Sequence, residues 1–476
     1  MSGSAAHTSA WRSLGGRVAV GIVWVAVWFV AANALGNPIL LAGPVDTLLA
    51  LGRCFVDAKF WAAIGQSGMT FASVAALSAA VGVAAGLLSA RCAVLDSLFA
   101  PVVHVMKSAP VACVVVILLV VFGSQGAVRA IVAFVALPPF YVAAREAFSQ
   151  RPRDTEQVLR CLGVSEAGVF LSATWPACLP FFRTAAKTSI ALSWRAGITG
   201  ELLSVPLGSI GAAVYASKLT LDTPSLLAWT GAIMVCGWAC ERIAVALLDL
   251  TEASPRLALH LACDRNKTTQ ALASVPNGAV CERALSVGPL ISLEGVSKSY
   301  GAQRVLNDAS LRLDAGSHVC LMAPTGSGKT TLLRVVLGIE QLDGGIVVRK
   351  GSCAPVLQQA TLVEQLSARD NVLLCASAAH DAHAVTAELE DLLPYGCAEK
   401  RAEELSGGTR RLVEIARALY APGDMVVLDE PFAGLDVCTR ERACAFIMRH
   451  LAGRALVVAT HDVSDARLLN ASVVNF

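Results

Sequence analysis

Charge is what this chain is short of. Asp, Glu, Lys and Arg together make up 16% of its 476 residues, against about 25% in an ordinary soluble protein. The shortage is local: residues 18–250 run nearly charge-free over long stretches, whereas 290–476 have the composition of a soluble domain. An excess of one sign is also missing. The formal net charge is +2, which gives no sign of a nucleic-acid partner. None of the 15 cysteines forms a C-x-x-C pair. The recurrent close spacings of disulfide and zinc frameworks are therefore absent, and the cysteines read as small buried hydrophobes in a reducing compartment. There is no internal repeat.

What is present is apolar length. Hydrophobic residues make up 55% of the chain and mean hydropathy is +0.61. The chain is long enough for about two or three domains. A membrane helix needs about 20 mostly apolar residues, and six runs qualify: 18–35, 71–90, 98–122 (interrupted by Pro101 and Pro110), 127–143, 185–203 and 226–248. Ala32-Asn-Ala34 mimics a signal-peptidase site, so a cleaved leader is the alternative to the first span. Arg12, Arg17, Arg91, Arg145, Arg151, Arg153, Arg160, Arg242 and Arg256 cluster at ends that should all face the cytoplasm. Fewer basic residues (Arg53, Lys59, Lys218) lie on the other side. Both termini are then cytoplasmic. The resulting division is a tail (1–16), a membrane part (17–250), a linker rich in Ser, Thr, Pro and Asn (251–288) and a soluble part (289–476).

The soluble part opens with a phosphate cradle. "CLMAPTGSGKTTLL" follows the pattern G-x-x-x-x-G-K-[ST], with Ala323 in place of the first glycine. An apolar strand runs into Ala323, Pro324, Thr325, Gly326, Ser327 and Gly328, and a helix begins near Lys329 and continues through Thr330 and Thr331. Backbone N–H groups of such a loop point at phosphate oxygens. Lys329 would reach the β- and γ-phosphates, and the Thr330 hydroxyl would ligate Mg²⁺. Ala323 is tolerable if φ stays negative there. Further on, "MVVLDEP" is a strand ending in two carboxylates. Asp429 suits Mg²⁺ through water, and Glu430 suits orienting or deprotonating a water. "LSGGT" is a Gly-rich turn opening a helix, and His461 follows a last apolar strand as a candidate for the γ-phosphate.

In this order, Tyr300, "APTGSGKT", Gln358, "LSGGT", "VVLDEP", "GLD" and "THD" resemble the ATPase domain of ATP-binding cassette proteins over about 290–476. The resemblance implies an α/β P-loop NTPase behind an all-α, six-helix permease. It also implies that Tyr300 stacks on adenine and that Gln358 senses Mg²⁺ and the membrane domain. Ser406, Gly407 and Gly408 would contact the γ-phosphate of ATP bound by a second subunit. Asp436 would belong to a loop crossing between subunits, and His461 would act as a switch. Ala323, Thr409 (where Gln or Met is commoner) and a short segment between Gln358 and Leu405 depart from the pattern.

The loop at about 148–180 carries Gly163 and Pro176 at the spacing of the "EAA" loop of importer permeases, although Gln157, Val158 and Leu159 replace those letters. Such a loop would dock on the ATPase. "SWRAGITGELLSVPLGSIGAAVYASKLTLDTPSLLAWT" and "AGPVDTLLAL" are similar to permeases of the nitrate/sulfonate/taurine type. The resemblance implies ATP-driven import across the cytoplasmic membrane by a homodimer, with a small solute delivered by an extracytoplasmic binding protein. The other readings are an exporter and a non-transporting regulator with a decayed ATPase. Arg195 and Glu201 lie inside the fifth span, and ionisable groups there are functional candidates by default. At six residues apart they sit about 120° apart around a helix. Two readings stand for them: an anion-attracting pathway residue with an outer brace, or two groups held in interhelical hydrogen bonds.

Overall fold

A computed structural model describes residues 3–262, 289–301, 303–324, 326–376 and 380–475. They form two compact units. One comprises residues up to 150 together with 178–251, and the other comprises 151–177 together with 252 onward. The cradle residue Thr325 and most of the expected linker, 263–288, lie outside the described residues.

Helices α1 to α10 run in chain order as Gly3–Leu35, Pro44–Val56, Ala58–Arg91, Ala93–Ser108, Val111–Ser149, Arg153–Cys161, Glu166–Val169, Trp175–Ser204, Ile210–Leu219 and Thr223–Asp249. All but α6, α7 and the first turn of α8 belong to the first unit. Short polar side chains start them. Asp57 accepts from the Lys59 N–H at 2.9 Å ahead of α3, and Ser209 accepts from the Ala212 N–H at 3.1 Å ahead of α9, each satisfying an N–H that the first turn leaves open. The buried face of α3 repeats small residues, including Ala63, Ser67, Ala75, Ser78, Gly82, Gly86 and Ser89. Side chains at Gly82 and Gly86 would meet the α5 carbonyls of Leu137 at 2.8 Å and Tyr141 at 2.4 Å. Backbone contact of that kind is how helices associate where no hydrophobic effect separates them from lipid.

Among the described residues, four helices are long and apolar enough to cross a membrane: Val18–Leu35, Ala58–Arg91, Val111–Ser149 and Thr223–Ala262. The expected third span, 98–122, is not one helix. It is divided at Ala109–Pro110 between α4 and α5, because proline cannot donate the N–H that would continue the helix. The chain then turns inside α5 at Gly123 (φ 69°, ψ −176°), in a region open to glycine. The expected fifth span lies in α8, which is long enough but carries Arg183, Lys187, Arg195 and Glu201. The expected linker begins late: residues 251–262 are helical, and Ala258 packs into the core of the second unit.

The second unit holds two sheets. β1 (Ile291–Tyr300), β2 (Gln303–Leu313) and β4 (Gly344–Arg349) form an antiparallel sheet in the order β2-β1-β4. β5 (Cys353–Val356), β6 (Met425–Asp429), β7 (Ala455–Thr460), β3 (His318–Met322) and β8 (Ser472–Asn475) form a parallel sheet in that order. β6 and β7 are buried along their whole length, which explains why they read as unbroken apolar runs rather than alternating ones. In register, Asp429 lies beside Ala459, and Met322 beside Thr460. The cradle, the acidic pair and the final "THD" therefore leave the sheet at its carboxyl edge, where open α/β sheets bind ligands. Helices α11 (Lys329–Val336), α12 (Ala368–Cys375), α13 (Ala382–Leu392), α14 (Gly407–Tyr420), α15 (Val437–His450) and α16 (Val463–Leu468) complete the unit.

The cysteines divide. Cys178, Cys320, Cys353, Cys375 and Cys444 are buried, as a small-hydrophobe role requires, whereas Cys92, Cys113 and Cys438 are exposed. Burial pushes the thiols of Cys353 and Cys444 up to about 12.

Candidate active site

The cradle is built around backbone that only glycine accepts. Gly326 (φ 87°) and Gly328 (φ 94°) are left-handed. A side chain on Gly328 would meet the Val305 carbonyl at 2.9 Å, whereas the space beside Gly326 is open. Ala323 is not among the left-handed residues, so the methyl that replaces the usual glycine sits where it costs little. Lys329 opens α11 with its side chain buried. Its Nζ donates to the carbonyl of Ala323 and, at 3.3 Å, to that of Pro324. Those carbonyls take the ammonium that phosphate oxygens would otherwise attract. Among the described residues, the buried Ser327 hydroxyl has no partner.

Asp429 ends β6 at 1% exposure, and among the described residues neither of its carboxylate oxygens has a hydrogen-bond partner. Burial raises its pKa. The Thr330 hydroxyl is the first group working against that, although no hydrogen bond of normal geometry reaches either oxygen. Glu430 adds to the rise, and Arg411 and Lys329 oppose it. A buried carboxylate without donors is costly, and a cation is the partner this one lacks. Thr330 and Asp429 thus fit Mg²⁺ in both donor chemistry and placement.

Glu430 follows with φ 45°, held by its N–H on the Ala459 carbonyl at 2.9 Å. Non-glycine residues in this region cost about 1–3 kcal/mol and gather at functional sites. Glu430 and His461 line one cavity of about 120 Å³ with Phe432, Gly434, Arg440 and Asp465. Beneath it, Asp465 accepts from Thr460 at 2.5 Å, and Asp462 takes Arg440 at 2.5 Å. The Ser464 hydroxyl and N–H, with Arg440, hold Asp462 well below the usual carboxylate range.

The other expected residues sit apart from this cavity. Tyr300 ends β1 half-exposed, with the Lys298 ammonium 5.4 Å from its ring centre. Ser406 caps α14. Its hydroxyl meets the Thr409 hydroxyl at 2.8 Å and accepts from the Thr409 N–H at 3.3 Å, so the atypical Thr409 is part of the cap. Ser406 and Gly407 are exposed. Asp436 caps α15, and the Thr439 hydroxyl and N–H lower its pKa. The side chain of Gln358 is exposed while its carbonyl accepts from Arg411 at 2.6 Å. Arg195 and Glu201 are not paired. Arg195 is exposed, and Glu201 is buried with Oε2 on the Gly211 N–H at 2.9 Å.

Sequence reading missed a buried clamp behind Gln358. Arg411 donates to the Leu357 carbonyl at 2.5 Å and pairs with Glu414 at 3.0 Å. Glu414 accepts from the Thr361 N–H at 2.5 Å, and Arg417 donates to the Thr361 carbonyl at 2.8 Å. Arg417 and Glu414 are at most 1% exposed. Their spacing was the available signal: positions 411, 414 and 417 share one face of a helix, which exposure to water does not require.

The "EAA"-like loop is part of this unit. α6 buries Val158 and Leu159 in the same core as the parallel strands, and its Asp154 pairs with Arg334 of α11 at 3.0 Å. Gly163 is left-handed (φ 82°), and a side chain there would meet Pro422 at 3.3 Å. Pro176 lies in the first turn of α8, after a π-helical turn over Phe170–Thr174.

Comparison with known proteins matches each part of the chain to a family. Residues 306–433 match the ABC transporter family model, and residues 82–249 match that of the binding-protein-dependent transport system inner membrane component. The aliphatic sulfonates import ATP-binding protein SsuB 1 of Pseudomonas savastanoi pv. phaseolicola is 34% identical over 189 residues, covering 39% of this chain and 79% of that protein. SsuB 2 of Pseudomonas syringae pv. tomato is 36% identical over 181 residues, covering 37% of this chain and 78% of that protein. A solved dimeric bacterial ABC transporter cassette is 26% identical, covers 39% of this chain and 94% of that one, and superposes with a TM-score of 0.35. The chain thus belongs to the ATP-binding cassette transporter family and joins an inner-membrane permease component and its ATPase in one polypeptide.

Proposed function

We propose that this chain imports a small solute across the cytoplasmic membrane at the expense of ATP, that its cargo belongs to the aliphatic sulfonate class, and that it works as a homodimer served by an extracytoplasmic binding protein. The cargo class follows the names of the relatives matched by the ATPase. The observation that carries the ATPase reading is Asp429, doubly unpartnered and buried beside Lys329 and Thr330.

Lys329 leaves the Ala323 and Pro324 carbonyls for the β- and γ-phosphates, and the N–H groups from Gly326 to Thr331 line the phosphates. Thr330, Asp429 and Gln358 would hold Mg²⁺. Bound with ATP, that ion supplies charge neutralisation and alignment of the phosphates. Glu430 orients and deprotonates the attacking water, His461 contacts the γ-phosphate, and Tyr300 stacks on adenine. Ser406 and Gly407, exposed at the start of α14, and Gly408 complete the site of a second copy, with Asp436 at the crossing loop. Two-fold pairing is the commonest closed assembly. Gly163 and Pro176 shape the loop that transmits the ATPase state to the permease. The permease spans the membrane six times within residues 17–250, with α4 joined to the first arm of α5 as one crossing and α8 as another.

Glu430→Gln tests the reading. The change keeps the shape and removes the base, so ATP binding persists and turnover falls about 10²–10⁴-fold. Turnover within about threefold of wild type removes Glu430 from the mechanism, a loss well below what a catalytic base supplies.

A further inference from the structure

The helical unit contains a second charged site that the ATPase does not use. Arg129 is the only charged residue between Lys107 and Arg145, and it lies on one of the most apolar helices of the chain. It lines a cavity of about 110 Å³ with Gln66, Thr70, Gln125, Glu201 and Ser209. Two apolar helices each contribute polar residues four apart, Gln66 and Thr70 from α3 and Gln125 and Arg129 from α5. That spacing stacks them on one face of each helix.

Most polar groups in the cavity are already occupied. Glu201 is committed to the Gly211 N–H, with the Ser67 hydroxyl beside it. The Gln66 amide donates to the Leu207 carbonyl at 3.0 Å, and Ser209 caps α9. Among the described residues, the Arg129 guanidinium has no hydrogen-bond or ion-pair partner. The loop from Ser204 to Ser209 passes over the cavity and is pinned there. The Ile210 N–H donates to the Ser67 hydroxyl at 3.0 Å. Gly208 is left-handed (φ 77°), and its missing side chain leaves room for Gln66 Oε1, 2.7 Å from where that side chain would begin. Val205 is also left-handed (φ 43°), an outlier for a β-branched residue. By the arginine distribution this end of the unit is extracytoplasmic.

We infer that this cavity is an entry subsite that binds a tetrahedral oxyanion through the free fork of Arg129, with the Gln125 amide as a neutral donor; the Thr70 hydroxyl is already committed to the Gln66 carbonyl at 2.8 Å. An unpaired guanidinium presents planar, bidentate donors that match sulfonate or phosphate oxygens, and Arg129 is exposed, so a solute can reach it. That the oxyanion is the cargo's own sulfonate head rests on the importer reading; a phospholipid phosphate has the same chemistry.

The test is equilibrium binding of ethanesulfonate to the full chain without ATP, by calorimetry in lipid-free detergent and in phosphatidylcholine nanodiscs. Ethyl methyl sulfone serves as the uncharged control. The expected result is ethanesulfonate binding without sulfone binding, reduced about 10–100-fold by Arg129→Gln and unchanged by Arg53→Gln, a substitution at an exposed residue of α2. If Arg129→Gln does not fold, Gln125→Leu keeps the charge and should weaken binding about fivefold. Binding that ignores Arg129, or is absent from wild type, overturns the inference. Arg129-dependent retention of phospholipid phosphorus through delipidation, with no ethanesulfonate binding, assigns the cavity to a lipid headgroup and overturns the cargo assignment. Failure of the importer reading appears separately, as wild-type vesicles that hydrolyse ATP without accumulating solute.

Discussion

The groups beside Asp429 do not outweigh the cost of its burial, and its carboxylate is kept for what it binds. A buried carboxylate with a raised pKa lowers stability as pH rises. The unfolded chain releases its proton first, so the penalty begins at the unfolded pKa and is complete above the folded one. Asp429→Asn removes the charge and its repulsion from Glu430 at constant shape. The nucleotide-free protein should therefore melt at the same temperature or higher, while Mg²⁺-dependent ATP affinity falls at least about tenfold, the loss expected for a charged ligand contact. Melting curves and nucleotide titrations with and without chelator measure both. Unchanged affinity in the presence of Mg²⁺ would show that Asp429 does not face the metal. Glu430 presents the same trade in its backbone, because φ 45° stores strain that a glycine would relieve at the loss of the carboxylate.

At the scale of elements, two helices meet the nucleotide machinery from behind. α14 grips the Gln358–Thr361 segment through Arg411, Glu414 and Arg417, so a movement of the "LSGGT" turn moves Gln358 with it. α6 reaches α11, the helix that starts at Lys329, through Asp154 and Arg334. Both partners of that pair are about one-third exposed, and such pairs contribute only about 0–1 kcal/mol. Asp154→Asn should therefore leave folding unchanged and basal ATP turnover within about twofold, a change of under 1 kcal/mol. Solute imported per ATP should fall. Vesicle uptake and phosphate release, measured on the same preparation, give that ratio. An unchanged ratio would mean that the pair holds the loop in place without transmitting anything.

At the scale of the whole molecule, the proposal requires two copies. Cys438 is exposed two residues beyond Asp436, in the segment assigned to the crossing between subunits. Cys320, Cys353, Cys375 and Cys444 are buried, with thiols raised to about 11 or 12. They stay protonated and unreactive at neutral pH. Among the described cysteines of the C-terminal unit, maleimide should therefore label Cys438 first. In Glu430→Gln, which traps bound nucleotide, ATP with Mg²⁺ should slow that labelling severalfold, and adding Ser406→Arg should restore it. Equal labelling with and without ATP would argue against a nucleotide-bridged pair.

Much of the site was legible because its requirements are local. A loop that wraps phosphate needs glycines at fixed offsets and a lysine at the helix start, so residues 323–331 could be read directly, including the harmless alanine. A strand buried on both faces must be apolar throughout, so "MVVLDE" and "VVATHD" announced themselves and the acidic pair with them. The six-run count was less secure, because apolarity measures length and not continuity. Pro110 divides the run 98–122 between two helices, and four charges hide α8. What only the tertiary structure decided depends on long-range neighbours. The carbonyl partners of Arg411 and Arg417 lie more than 50 positions away in the chain, and Asp154 finds Arg334 across 180. Arg129 has no partner at all among the described residues. Sequence alone established which chemistry the chain carries, because that chemistry is written in contiguous motifs. Which charges are paired and which are left free to bind is set by packing between distant segments, and no local pattern records it.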